Sequence, residues 1–135
     1  MISDQREKLI TVLVVDDSGT IRSQLRNFLQ ECGCKVIAEA KNGIEAIDQY
    51  VRNKPEIVTL DLVMPVLDGL SALSEIRRYD PKAKVMVITS SLSKKNRSEA
   101  EELGVEIFVE KPISLEKIQQ ALSEIKRFKK GIKYG

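Results

Sequence analysis

Asp61 closes a largely apolar strand in which Ile57, Val58 and Leu60 are apolar. A carboxylate at the end of a buried strand costs stability unless a partner offsets it. It is therefore either a structural cap or the working group of a site. Three other apolar runs bear on the choice: VLVVDD ends in Asp16 and Asp17, VMVITSS in Thr89 and Ser90, and IFVEKP in Lys111 and Pro112. Capping alone rarely puts acids, a hydroxyl and a cation at four strand ends. Two carboxylates about 4 Å apart repel by roughly 4 kcal/mol at an effective dielectric near 20, so three together demand a cation or raised pKa values. An oxygen donor set completed by waters suits Mg²⁺ better than Ca²⁺. Lys111 adds a point charge suited to phosphate, and Thr89 one hydroxyl donor. This inventory fits phosphoryl transfer to an aspartate, giving an acyl phosphate. Asp61, alone on its strand, is the natural nucleophile, which leaves Asp16 and Asp17 for the metal.

Composition narrows the classes. The 135-residue chain suits one domain with a substantial core. A net charge of +2 gives no bulk electrostatic case for nucleic acid or a membrane surface. No apolar run approaches the ~20 residues that span a bilayer, and the N-terminal MISDQREK has no apolar signal core. A cytoplasmic protein is expected. Histidine is absent, which excludes Ser-His-Asp or Cys-His catalysis, His-ligated zinc or haem, and a phosphohistidine on this chain. Cys32 and Cys34 lack a second pair to complete a metal site, so two reduced thiols are expected.

The elements that must hold these groups can be read from periodicity. Strands are expected over 11–15, 35–40, 57–60, 85–89 and 107–109. Helices are expected over 20–31, with Ser18 as N-cap and Gly33 as terminator, and over 44–53, with Ile44, Ile47, Tyr50 and Val51 on one side. Three more are expected over 70–79, over 93–103 with a poor apolar face, and over 114–128, carrying Leu115, Ile118, Leu122, Ile125 and Phe128. Alternating strands and helices give an α/β fold, a doubly wound parallel five-stranded sheet with helices on both faces. Ligands bind such sheets beyond the carboxyl ends of the strands, at a switch in strand order. In a 2-1-3-4-5 order the first and third strands are neighbours and the three acids converge, although sequence alone leaves that order open.

VLVVDDS, NGIEAI, KPEIVTLDLVMPVLDGLSAL, VITSS and FVEKP, in this order and spacing, resemble the receiver domain of two-component response regulators, in its stand-alone CheY-like form. The resemblance implies a flavodoxin-like (βα)5 single domain over 10–129, after a charged lead-in over 1–9 and before a tail over 130–135. It implies that Asp61 is the phosphoacceptor and that Asp16, Asp17, Asp61 and the Val63 carbonyl hold Mg²⁺, with Asp16 acting mainly through water. Thr89 and Lys111 would contact the phosphoryl group, a cis Lys111–Pro112 bond is expected, and Thr89 and Phe108 would form the switch. The donor would be a phosphohistidine on a sensor histidine kinase or histidine phosphotransfer protein. The output would be a downstream effector protein of chemotaxis, motor or phosphorelay type, bound by the face of the fourth helix, fifth strand and fifth helix. No direct nucleic-acid contact or membrane insertion is expected, and the protein would be a monomer or weak dimer. Phe108 stands where tyrosine is commoner. Val63 and Ser91 occupy positions that tune dephosphorylation, and an apolar Val63 implies a fairly long-lived phosphoryl state.

Other classes fit less well. A haloacid-dehalogenase-type phosphatase needs Asp-x-Asp, and Asp16, Asp17 and Ser18 do not supply it. Nucleotide-binding glycine loops are absent. A receiver fragment of a larger regulator and a phosphorylation-independent binding module remain as alternatives. The basic residues Lys126, Arg127, Lys129, Lys130 and Lys133 read as a solvated helix end favoured by the helix dipole. Lys94, Lys95 and Arg97 read as solvation or a docking face.

Overall fold

Five strands and five helices alternate in this computed structural model, which describes residues 9–134 and the side chains of residues 9–125. In chain order they are β1 (Ile10–Val15), α1 (Gly19–Glu31), β2 (Cys34–Ala40), α2 (Gly43–Asn53), β3 (Ile57–Leu60), α3 (Gly69–Tyr79), β4 (Lys84–Thr89), α4 (Lys94–Glu102), β5 (Ile107–Glu110) and α5 (Leu115–Tyr134). All strand pairs are parallel and the sheet order is β2-β1-β3-β4-β5. The expected order and fold class therefore hold. Most of the 1–9 lead-in, and the side chains of Phe128 and of the basic residues from Lys126 onward, lie outside the described residues. The α5 backbone continues through Tyr134, into the segment read as a tail.

Side-chain alternation splits the core in two. Leu13, Val15, Val58, Leu60, Val85 and Val87 face α2, α3 and α4 in one cluster, with Ala46, Tyr50, Leu73 and Ile76. Val12, Val14, Ile57, Met86, Ile88, Ile107 and Val109 face α1 and α5 in the other, with Leu25, Leu29, Ile118 and Leu122. A sheet covered on both faces needs continuous apolar strands, and these have them. Helix starts are set by side-chain caps: the Ser18, Asn42, Asp68 and Ser93 side chains accept from the third residue beyond.

The face expected for α2 holds in part: Tyr50 is buried with Gly43 and Ala46, and Ile47 packs against the core, whereas Ile44 is 55% and Val51 38% exposed. The Gly43 amide donates to the Leu67 carbonyl at 2.9 Å. That contact with the β3–α3 loop sets the rotation of the helix and turns Ile44 and Val51 outward.

The C-terminal ends of α2 and α3 are joined by a polar bond. The buried Tyr50 hydroxyl donates to Asp80 Oδ2 at 2.6 Å. This bond, the largest influence on Asp80, holds its carboxyl below the ordinary carboxylate range, while burial and Asp80 push the Tyr50 phenol up. Tyr50→Phe is expected to destabilise the fold by about 1.5 kcal/mol at neutral pH, the low end for hydrogen bonds to charged groups because Asp80 is only half-buried. A group whose folded pKa is depressed contributes stability above its unfolded pKa and loses it as pH falls through the folded value. The gap between wild type and Tyr50→Phe should therefore be full at pH 7 and close below about pH 4, near the unfolded carboxylate pKa. Urea titrations across that range measure it.

Candidate functional site

The carboxyl ends of β1 and β3 lie side by side, with Val15 paired to Leu60. The next residue on each chain is an acid. The Asp61 amide donates to the Val15 carbonyl at 3.1 Å, and the Asp16 amide to the Ala40 carbonyl at 3.0 Å. Strand pairing thus extends just far enough to fix both backbones while their side chains leave the sheet. Asp16 is 1% and Asp61 5% exposed, and Asp17 stands exposed beside them. One carboxylate oxygen from each of Asp16, Asp17 and Asp61 lies within 4.8 Å of the others.

Lys111 reaches this cluster from the end of β5. Its ammonium donates to Asp16 Oδ2 at 2.7 Å and to Asp61 Oδ2 at 3.1 Å. The Lys111 amide donates to the Thr89 carbonyl at 3.0 Å, so the end of β4 carries the lysine, and the peptide bond to Pro112 is cis. The remaining oxygens are held locally. Asp16 Oδ1 accepts from the Ser18 amide at 2.9 Å, and Asp61 Oδ1 from the Val63 amide at 3.2 Å. Burial pushes the Asp16 carboxyl above its ordinary pKa, against the opposing pull of Lys111. Burial also opposes the charge on Lys111, but the bonds to Asp16 and Asp61 prevail and hold its pKa above the ordinary lysine value. The lysine is firmly cationic, and it faces more negative charge than it can neutralise.

A cluster of three carboxylates with one ammonium and an all-oxygen donor set fits a hard divalent cation. Asp16, Asp17 and Asp61 are the residues that would hold it. Lys111→Met is expected to cost about 3–5 kcal/mol in chelator, because losing one partner leaves buried charges uncompensated. Added Mg²⁺ should stabilise the variant more than the wild type, since the cation replaces the missing charge. Chemical denaturation with and without Mg²⁺ would show this. Equal Mg²⁺ effects on the two proteins would count against the cluster as the cation site.

The expected residues do not all meet in one place. Asp16, Asp17, Asp61 and Lys111 converge, and Thr89 is joined to them through Lys111's backbone. The Thr89 side chain is fully buried and its hydroxyl accepts from the Ser91 amide at 3.2 Å. Phe108 is half-buried one strand away, with the Arg97 guanidinium 4.5 Å above its ring. Val63 is 57% exposed at the rim.

Sequence reasoning missed two supports. The Arg22 guanidinium donates to the Asp16 carbonyl at 2.7 Å and to Glu39 at 3.0 Å, and Arg26 also binds Glu39. Arg22 lies four residues beyond the Ser18 cap, one turn away and on the same side, which is the only sequence signal for it. Gly69, the first residue of α3, presses on the Asp61 backbone: a Cβ there would lie 2.1 Å from the Asp61 carbonyl oxygen.

A doubly wound sheet of this order, with buried acids at the carboxyl ends of β1 and β3 and a lysine reaching them from the end of the edge strand β5, defines a receiver-type domain. The family model for the response regulator receiver domain matches residues 12–123. The chain belongs to that family. It is 36% identical to a chemotaxis protein CheY of Listeria monocytogenes, over 86% of this chain and 98% of that one. It is 40% identical to a protein CcdB of Bacillus subtilis, over 84% and 95% of the two chains. Among solved structures it resembles a chain of the CheX–CheY–BeF3–Mg²⁺ complex from Borrelia burgdorferi, with TM-score 0.83 and 31% identity over 86% and 88% of the chains.

Proposed function

We propose that the protein is a phosphorylation-driven switch in which Asp61 accepts a phosphoryl group from a phosphohistidine on a histidine kinase or phosphotransfer protein. The observation that carries this reading is the buried Asp61 carboxylate, bonded to Lys111 and within 4.8 Å of Asp16 and Asp17. A carboxylate oxygen of Asp61 attacks phosphorus, the bond from phosphorus to the donor imidazole nitrogen breaks, and that nitrogen keeps the electron pair. Lys111 turns its ammonium from the free carboxylates to the phosphoryl oxygens, and Thr89 offers its hydroxyl to another. Asp16, Asp17, Asp61 and the Val63 carbonyl would hold Mg²⁺, which when bound neutralises charge developing on the phosphoryl oxygens.

The signal leaves through α4, β5 and α5. Thr89 moving toward the phosphoryl group, and Phe108 following it inward, would reshape that face for a partner protein. Swinging the equilibrium from 1:99 to 99:1 takes about 5.5 kcal/mol of differential stabilisation. The relatives named chemotaxis protein CheY support a chemotaxis-type output. Among the described residues no helix is long and apolar enough to cross a membrane.

Incubation with acetyl phosphate, with and without Mg²⁺, followed by intact mass, tests the reading. The expected result is a Mg²⁺-dependent gain of one phosphoryl group that hydroxylamine removes, as it does from an acyl phosphate. No gain would favour a phosphorylation-independent binding module.

A further inference from the structure

Lys117 lies in the first turn of α5, where the helix dipole disfavours a cation. Lys117 is exposed, yet its ammonium has two main-chain partners. It donates to the Glu110 carbonyl at 2.9 Å and to the Pro112 carbonyl at 2.8 Å. Those carbonyls belong to the residues on either side of Lys111. The helix holds Lys117 in turn, since Ser114 caps its amide at 3.2 Å and the Ser114 carbonyl accepts from Ile118 at 3.1 Å.

We propose that Lys117 is a positioning residue for Lys111: its ammonium clasps the two carbonyls that flank Lys111 and aims the Lys111 side chain at Asp61. The proposal rests on the reading of Lys111 as a group that contacts the transferring phosphoryl. The geometry explains why a second fixing point is needed. The sheet secures Lys111 by one bond, from its amide to the Thr89 carbonyl at 3.0 Å, and pairing with β4 runs no further than Glu110. Beyond that the Lys111 ammonium must still arrive at 2.7 and 3.1 Å from two different carboxylates. A rotation of either flanking peptide would sweep a long side chain away from both. Lys117 bonds both peptides at once and ties them to a rigid helix. A surface lysine that served only solvation would leave those two carbonyls to water.

The test compares Lys117→Met, Lys117→Arg, Lys111→Met and the Lys117→Met/Lys111→Met double variant. The readouts are the rate of phosphoryl uptake from acetyl phosphate at saturating Mg²⁺ and the thermal midpoint of the metal-free protein. Lys117→Met should slow uptake roughly five- to tenfold, in keeping with the cost of misplacing a group by part of an ångström. Its thermal midpoint should stay near wild type, and Lys117→Arg, which keeps the donors, should recover most of the rate. In the Lys111→Met background the Lys117 substitution should slow uptake no further. An unchanged rate in Lys117→Met, or equal slowing in both backgrounds, would overturn the positioning role. If Lys111→Met itself leaves uptake unchanged, the assignment of Lys111 fails and the role of Lys117 falls with it.

Discussion

Asp61→Asn is expected to abolish phosphoryl uptake, with a rate below detection and at least about a thousandfold under wild type, as when a covalent nucleophile is removed. An amide has the shape of a carboxylate but no anionic oxygen to attack phosphorus. The neighbouring acids are poor substitutes. Asp16 has one oxygen bonded to the Ser18 amide at 2.9 Å and the other to Lys111 at 2.7 Å, and its burial favours the protonated form. Asp17 is exposed and lies beyond the end of β1, not on the strand that carries Asp61. The fold should survive, since the substitution removes one charge from a cluster already rich in them. Mg²⁺ stabilisation of the variant should also weaken, because the cation loses one of its three carboxylates. Intact mass after acetyl phosphate, beside thermal denaturation with and without Mg²⁺, measures both effects. Uptake that persists in a folded Asp61→Asn protein would move the nucleophile to Asp16 or Asp17.

The site was legible in sequence to the extent that it is written along strands. A buried parallel strand is a largely apolar run, so its end shows where polar residues begin: Asp16, Asp61 and Thr89 stand there, and Lys111 stands one residue further on, after Glu110. The sheet order was not legible, because apolar strands do not encode their neighbours. The convergence of the acids depended on that order and is settled by the pairing of Val15 with Leu60. Helix faces were less secure. Of the four apolar residues of α2 at helical spacing, Tyr50 and Ile47 do face the core, but Ile44 and Val51 turn outward and Gly43 and Ala46 complete the inward face, since the bond from Gly43 to Leu67 sets the helix rotation. Arg22 and Lys117 were missed because each acts on main-chain carbonyls, which leave no trace in side-chain patterns.

The poor apolar face of α4 has a counterpart in the structure. Ala100 is its one buried residue, whereas Arg97 lies over Phe108 and Glu101 pairs with Arg97 at 3.3 Å. The Asn96 side chain donates to the Ser91 carbonyl at 2.8 Å, and the Ser91 amide donates to the Thr89 hydroxyl. The first turns of α4 thus touch the loop beyond Thr89 on one side and the Phe108 ring on the other. A helix held by few apolar contacts costs little to shift. Both proposed switch residues lean on such a helix, so a phosphoryl group that draws Thr89 inward need not deform the packed core.

Gly69→Ala should give the second large effect, through the backbone of Asp61, the proposed nucleophile. A Cβ at Gly69 would sit 2.1 Å from the Asp61 carbonyl oxygen, 2.6 Å from the Leu62 Cα and 2.9 Å from the Asp61 carbonyl carbon. All three are main-chain atoms, so no side chain can swing aside. Either α3 retreats, breaking the 3.0 Å bond from the Gly69 amide to the Leu62 carbonyl, or the end of β3 moves and carries Asp61 with it. Crowding a packed interior costs typically 1–3 kcal/mol and occasionally more, and with backbone on every side about 3 kcal/mol or more is expected here. A displacement near 1 Å at the nucleophile can also cost about a hundredfold in rate. Gly19→Ala supplies the control, since a Cβ there meets only the Arg22 Nη2 at 3.6 Å and should leave stability and uptake near wild type. Urea denaturation and acetyl phosphate uptake of the two variants separate the outcomes. A Gly69→Ala protein that matches Gly19→Ala in both would mean that α3 can withdraw freely, and that its start does not hold Asp61 in place.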